Sequence, residues 1–308
     1  MPFFSIIIPL YNKENFIENT IQSVLAQTFQ DFEVILVNDG STDNSEKKAL
    51  QFKDPRIQYY SKKNEGVSLA RNFGIEKASA QHITFLDADD YWYPDFLQVM
   101  FEQIRQFPEQ KIFSAAIEIE TSKKIFPAQY SIPKTGSSEL VNYFRASTKE
   151  PIIWTSCAVF HKSIFDQIGV FDPNIKSGQD TDLWIRIGLV YPVLFSWSIL
   201  ARYVYDNNSL SKNDTLLHAK MDFSKFTKLE KTNADLKHYL DLNRFSLAIK
   251  SKLTGNKALF THFYTGIDLG KIGFKKRFLL SLPSSLLWLL IQIKLKMADL
   301  GLGSSVFK

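Results

Sequence analysis

The sequence predicts an α/β fold, with a mostly parallel sheet flanked by helices and a helical C-terminal extension. Three observations carry this expectation. Short apolar runs alternate with segments of helical spacing from Phe3 to Leu86, and three of those runs end in polar turns. After Ser211 the composition becomes Lys-rich and helix-compatible. At ~150 residues per domain, 308 residues make two domains or one large domain with an appendage. With 45% hydrophobic and 22% charged residues the composition is globular, which excludes disorder and collagen. Thirty-seven basic against 32 acidic residues leave a net charge of +5, too small to imply a nucleic-acid partner. One cysteine, Cys157, excludes an intramolecular disulfide and a cysteine-rich zinc site. The chain is thus compatible with a reducing, cytoplasmic compartment.

The opening run Phe3 to Ile8 has no basic residue before it and no small-residue cleavage site after it, so it reads as a buried strand and not an export signal. Ile17, Ile21, Val24 and Leu25 recur at helical spacing, and Phe32 to Val37 form a second strand ending at Asn38-Asp39-Gly40-Ser41. A polar helix around 43–52, a strand Ile57 to Tyr60, a helix from about Val67 to Ala78 and a strand Ile83 to Leu86 continue the alternation. Such alternation implies a parallel sheet covered on both faces. Residues 110–160 are strand-like but less regular; Gly178 to Arg186 opens a helix ending near Val190, and a final strand runs through Leu200 to Tyr205. The expected division is 1–211 for the α/β domain and 212–308 for the helical region, broken at Gly255, Gly273 and Pro283. No internal repeat is present.

In such sheets ligands bind beyond the carboxyl ends of the strands. Asp87-Ala88-Asp89-Asp90 places three mutually repelling carboxylates at one strand end, which suits a hard divalent cation, Mg²⁺ or Mn²⁺, completed by phosphate oxygens. Alternatively Asp89 or Asp90 caps the helix after Pro94. Asp39 can accept from a ribose hydroxyl or a base N–H, or serve only in a turn. Asn64-Glu65-Gly66, before a helix carrying Arg71, can offer amides and a guanidinium to a pyrophosphate, though Arg71 also fits a surface ion pair. In Gly178-Gln179-Asp180-Thr181-Asp182-Leu183-Trp184 the acids either stabilise the helix start or supply a general base, Asp180, with Trp184 one turn on to stack against an acceptor sugar.

Taken in order, Pro9-Leu10-Tyr11-Asn12, Asn38-Asp39-Gly40-Ser41-Thr42-Asp43, Asn64-Glu65-Gly66 with Ala70-Arg71-Asn72, Leu86-Asp87-Ala88-Asp89-Asp90 and the Gly178 to Trp184 segment resemble glycosyltransferase family 2. The resemblance spans roughly residues 3–211. It implies a GT-A nucleotide-diphospho-sugar transferase fold and inverting chemistry. It also implies a nucleoside-diphosphate sugar donor, most often a uridine one, and a glycan or lipid-linked acceptor in cell-surface polysaccharide synthesis. By resemblance Pro9, Tyr11 and Asp39 surround the nucleoside, with Asp39 directed at the base, and Arg71 lies near the nucleotide. Asn12, Asn64, Gly66 and Ala88 complete the expected nucleotide-binding set. Asp87-Ala88-Asp89 corresponds to the DxD motif, with Asp87 towards the ribose and Asp89 on the metal; Asp180 is the catalytic base. Two departures stand out. Gln179 occupies a position where many relatives have Glu, and Asp206 one where a His is frequent; Asp206 becomes a second candidate metal ligand or a surface turn residue.

Other readings are a sugar nucleotidyltransferase, whose Gly-rich phosphate loop is missing from Pro9-Leu10-Tyr11-Asn12-Lys13, and a non-catalytic nucleotide-binding membrane-associated protein, against which Asp87, Asp89 and Asp180 speak. Between Asp268 and Asp299 no acid occurs, whereas Lys271, Lys275, Lys276, Arg277, Lys294 and Lys296 do. The uncharged stretch Phe278 to Ile293 has 16 residues and contains Pro283, short of the ~20 needed to span a bilayer. The tail, about 271–298, therefore fits a helix lying on an anionic membrane, peripheral on the cytoplasmic face. A core helix or a subunit interface in an oligomer is the alternative.

Overall fold

β1 (Phe4–Leu10) and β2 (Phe32–Asn38) are buried at every position, as unbroken apolar runs require when both faces of a sheet are covered. The computed structural model describes residues 1–205, 221 and 223–299. Along the chain come α1 (Ile17–Leu25), α2 (Ser45–Ala49), β3 (Ile57–Ser61), α3 (Val67–Lys77), β4 (His82–Phe85), β5 (Tyr91–Trp92) and α4 (Phe96–Gln106). Then follow β6 (Ile112–Glu120), β7 (Ile125–Pro127), β8 (Ser138–Val141), α5 (Tyr143–Ala146), β9 (Ala158–His161), α6 (Ser163–Ile168), α7 (Gln179–Gly188) and β10 (Val193–Val204). The helices α8 (Ala234–Leu253), α9 (Lys257–Thr265), α10 (Phe274–Ser281) and α11 (Ser284–Asp299) form the C-terminal extension.

One sheet runs in the order β3-β2-β1-β4-β9-β6-β10-β5, with β7 on β6 and β8 on β10. β1 lies parallel between β2 and β4, and β10 lies parallel to β6. β9 is antiparallel to both β4 and β6. Hence β1, β2, β3, β4, β6 and β10 all point one way, and their carboxyl ends share one edge. β10 starts earlier than Leu200. Ser196-Trp197-Ser198 breaks its apolar pattern, and its pairing with β6 shifts register between Ser196 and Ala201.

Side chains alternate across β1. Ile6 and Ile8 join Val34, Leu36, the α1 residues Ile17 and Ile21, and Phe96 and Met100 of α4. Ile7 joins Ile35, Val37, Phe85, Ala70 and Ile75 of α3, and Leu183 and Ile187 of α7. A Cβ on Gly74 would lie 2.3 Å from Ile7 Cγ2, so glycine lets α3 sit directly on β1. This contact sets the position of Arg71.

The extension is fastened to the α/β unit. Leu236, Tyr239 and Leu240 of α8 belong to the same core as α7, while Ala248, Phe263, Ile267, Ile272 and Leu280 form a smaller core of their own. Arg145 pairs with Asp235 at 2.7 Å, and Lys225 reaches the fully buried Asp182. The expected boundary near 211 lies outside the described residues. Pro283 divides the tail into α10 and α11, and among the described residues no helix is long and apolar enough to cross a membrane.

His82 opens β4, stacked on Phe3 at 4.6 Å and edge-on to His161 at 5.6 Å. Burial pushes its pKa down to about 4, and His161 and Lys111 repel the added proton further. The unfolded chain, with an imidazole near 6.5, then binds more protons than the folded one between pH ~6.5 and ~4. Stability is therefore complete above that window and falls as the pH drops through it. Urea midpoints measured from pH 7 to 4.5 should decline, with a shallower decline in His82→Phe, which keeps the ring stack without the titration.

Candidate active site

A cavity of about 1180 Å³ opens at the carboxyl edge of the sheet. Pro9, Tyr11, Asn12, Asp39, Asn64, Gly66, Arg71, Asp87, Ala88, Asp89, Asp180 and Trp184 all line it. Asp206 lies outside the described residues. The predicted residues reach this cavity from loops that are far apart in the sequence.

Tyr11 follows β1 and is 46% exposed, so an aromatic face is open at the mouth. Asp39 follows β2 and is buried in a socket. Its Oδ1 accepts from Lys62 Nζ at 2.8 Å and from the Glu65 amide at 3.1 Å, and its Oδ2 accepts from the Gly66 amide at 2.8 Å. The socket closes because Gly40, at φ +72°, brings its Cα against Asn64; a Cβ there would sit 2.8 Å from the Asn64 nitrogen. Gly66 itself turns at φ +98°.

Arg71 projects from α3 into the floor. Its Nη2 meets Asp87 Oδ1 at 2.5 Å and its guanidinium lies over the Phe171 ring at 5.2 Å. Nε and Nη1 are buried and have no hydrogen-bond partner. Buried N–H groups of a charged side chain rarely stay unpaired, so an acceptor belongs here. Asp89 faces Lys13 Nζ at 2.6 Å. Burial raises its pKa, Lys13 opposes that rise and Asp87 adds to it.

Asp90 plays a different part. Fully buried, its Oδ2 accepts from Ser156 Oγ at 2.6 Å and its Oδ1 from the Val204 amide at 3.0 Å. Thr20 Oγ1 donates to the carbonyls of Ala88 and Asp90 at 3.0 and 2.8 Å. These bonds fix the loop after β4, so neither Asp89 nor Asp90 serves the α4 N-terminus. The side chain of Asp95, the residue before α4, makes no capping bond.

On the opposite wall Gly178, left-handed at φ +83°, starts α7 and presents Asp180. Asp180 lines the cavity, and its Oδ1 accepts from the Thr181 amide at 2.6 Å. The Tyr143 and Tyr239 hydroxyls meet at 3.0 Å beside it. Burial pushes Tyr239 up to about 12, and the charge of Asp180 contributes to that rise. The arrangement brings the Arg71 guanidinium with its unpartnered nitrogens, the exposed Tyr11 ring and the Asp180 carboxylate to one cavity.

A family model described as "Glycosyl transferase family 2" matches residues 5–169, just over half of the chain. The chain belongs to glycosyltransferase family 2. An uncharacterised glycosyltransferase of Rickettsia conorii is 36% identical over 186 residues, 59% of this chain and 30% of that protein. The uncharacterised glycosyltransferase EpsJ of Bacillus subtilis is 31% identical over 187 residues, 59% of this chain and 54% of its own. The Bacillus subtilis minor teichoic acid biosynthesis protein GgaB is 34% identical over 192 residues, 58% of this chain and 20% of its own. The chain thus spans only part of these relatives' lengths. Among solved structures, S. aureus TarS 1–349 in complex with UDP-GlcNAc superposes with a TM-score of 0.61 at 15% identity, covering 94% of this chain and 79% of that one. At that identity the likeness is one of fold, and the fold is GT-A.

Within this family 2 chain the geometry corrects three expectations. Trp184 is 3% exposed and stacks on Phe160 at 4.9 Å and 5°, so its face belongs to the core and is closed to a sugar. The Glu65 and Gly66 amides serve Asp39 and do not stand free for a pyrophosphate. Asn12, at φ 50°, exchanges hydrogen bonds with Thr42 and braces the β1 and β2 loops. Conversely, sequence reasoning missed Lys13, Ser156, Trp154, Tyr143, Tyr239 and Asn243. Trp154 and Asn243 line the cavity, and the Trp154 indole N–H is buried without a partner. No spacing in the irregular 110–160 stretch marks Tyr143, Trp154 or Ser156, and α8 lies beyond the matched motifs; Lys13 directly follows the Pro9 to Asn12 motif, which does not itself point to it. Gln179, 8% exposed on the same wall, likewise has an unpartnered Oε1.

Arg71→Lys keeps a cation near Asp87 but removes the unpartnered Nε and Nη1 donors. A charge-assisted bond is worth ~1.5–3 kcal/mol, so pyrophosphate affinity by calorimetry should drop about tenfold or more. Unchanged affinity would mean that these groups do not meet a phosphate.

Proposed function

We propose that this family 2 chain is an inverting glycosyltransferase. It moves a sugar from a nucleoside-diphosphate sugar to a hydroxyl of a glycan or lipid-linked acceptor in cell-surface polysaccharide synthesis. The observation that carries the reading is the cavity into which three strand ends, α3 and the start of α7 together deliver Tyr11, Asp39, Arg71, Asp87, Asp89 and Asp180. A uridine donor is favoured because the TarS fold relative is found with UDP-GlcNAc and with UDP, and polysaccharide synthesis because GgaB is a teichoic acid protein.

In this reading Tyr11 and the remaining lone pairs of Asp39 hold the nucleoside, Asp87 faces the ribose, and the Arg71 N–H groups take phosphate oxygens. Asp180 Oδ2 accepts the proton of the acceptor hydroxyl. That oxygen attacks the anomeric carbon, the bond from that carbon to the diphosphate oxygen breaks, and the electron pair leaves with the nucleoside diphosphate. Attack from the face opposite the leaving group inverts the configuration. Tyr143 and Tyr239 keep Asp180 walled off from bulk water on one side.

The chemistry of the donor set decides how Mn²⁺ or Mg²⁺ would fit. Among the described residues no three His, Cys, Asp or Glu side chains gather to hold a metal, and Asp87 and Asp89 already face Arg71 and Lys13. Asp89 would be the protein ligand of a divalent cation, with diphosphate oxygens supplying the other ligands. Asp206 remains a proposed second ligand. When bound, the ion would neutralise charge on the departing diphosphate.

Thermal unfolding against nucleoside diphosphates and their sugars, with and without Mn²⁺, tests the donor. A ligand at 100 times its Kd adds ~2.7 kcal/mol, and Asp89→Ala should abolish the Mn²⁺-dependent part. Asp180→Asn should leave nucleotide stabilisation within about twofold of wild type in Kd while lowering sugar transfer by ~10³ or more. Stabilisation without turnover on any acceptor would favour the non-catalytic reading, and stabilisation by no nucleotide would reject the proposal.

A further inference from the structure

We propose that α10 and α11 form a docking surface for an anionic lipid bilayer. Seven of the sixteen exposed large apolar side chains among the described residues fall within residues 274–293. On α10, Phe274 and Phe278 stand one turn apart, 74% and 50% exposed, beside the exposed Lys275 and Arg277. On α11, Leu286, Leu289 and Ile293 recur at helical spacing on an exposed face, and Trp288, 57% exposed, borders it. Inward contact is slight: Leu280, Leu282 and Leu287 bury themselves while their neighbours do not. Apolar side chains arranged this way on consecutive helices make an interaction surface rather than scattered exposure.

Charge selects the occupant. No acid lies between Asp268 and Asp299, and six basic residues do. A second copy of this chain placed on the face by a two-fold axis would set this basic surface against itself. An anionic bilayer neutralises it and takes the aromatic and leucine side chains into the acyl boundary. Sixteen residues of α11 extend ~24 Å, less than the ~30 Å hydrocarbon thickness, so the helix lies in the interface and does not cross it. The surface is separate from the cavity, so the inference stands or falls independently of the proposed reaction.

The test is co-sedimentation of the full chain with vesicles of phosphatidylcholine alone and of phosphatidylcholine with 30% phosphatidylglycerol, at about 0.1 and 0.5 M NaCl. Anionic vesicles should bind at least about tenfold more tightly than neutral ones at low salt, and high salt should reduce that preference. The double variant Lys275→Glu with Arg277→Glu should lose about tenfold or more, and Trp288→Ser with Leu289→Ser should lose binding to both vesicle types. Unchanged urea midpoints show that these variants remain folded; if the first pair unfolds the chain, Lys275→Gln with Arg277→Gln replaces it. Equal binding to neutral and anionic vesicles, or undiminished binding by the charge variants, overturns the proposal. A dimer in sedimentation equilibrium that Leu289→Ser dissociates would assign the face to a second copy and overturn it as well.

Discussion

Asp90 is a carboxylate buried beside two others, an arrangement that costs several kcal/mol unless hydrogen bonds compensate. Burial first, then Asp89 and Asp87, push its pKa well above the ordinary range. Ser156 Oγ and the Val204 amide supply the compensation, from the turn before β9 and the end of β10. Ser156 Oγ also accepts from the Asp87 amide at 3.1 Å, and the Trp92 indole donates to the Ser156 carbonyl at 2.6 Å. One carboxylate therefore joins three strand ends. Because its side chain is held inward, Asp87 and Asp89 are left to face the cavity, and the geometry of every other group there is measured against theirs.

Three cavity carboxylates each meet a cation from a neighbouring segment: Asp39 meets Lys62, Asp87 meets Arg71 of α3 and Asp89 meets Lys13. Such pairs gain little net stability once desolvation is counted. Their value here is geometric, since opposed charges hold long side chains in single conformations around a ligand-sized space. Lys13 Nζ meets Asp89 Oδ2, so the divalent cation proposed for Asp89 would have Lys13 as neighbour and competitor. Arg71 differs from the other two cations because Asp87 engages only Nη2, which leaves donors to spare.

The α/β half was largely legible from the chain. β1, β2 and β4 are short, nearly continuous apolar runs with polar residues immediately after them, which separates them from the spaced apolar residues of α1. Less of the far wall was legible. Trp184 sits one helical turn after Asp180, which correctly brings it to the cavity, but periodicity says nothing of which ring lies against its face. Phe160, on a strand inserted antiparallel between β4 and β6, occupies that face. Similarly, Asp39 looks like a free carboxylate in a turn until the β3–α3 loop folds over it.

The amino-acid sequence alone determined the family, the alternation of strands and helices, and the set of strand-end residues that meet, because these depend on local periodicity and on motifs only a few residues long. Tertiary structure alone decided the rest. It showed that α8 closes the cavity with Tyr239 and Asn243, that Asp90 is an anchor while Asp89 faces the cavity, that Arg71 keeps two unpartnered nitrogens, and that most apolar side chains from Leu286 to Ile293 stay exposed. Each of these is a matter of which partner a side chain meets across tens to hundreds of residues, and burial and hydrogen-bond pairing at that range follow from packing, which no local pattern encodes.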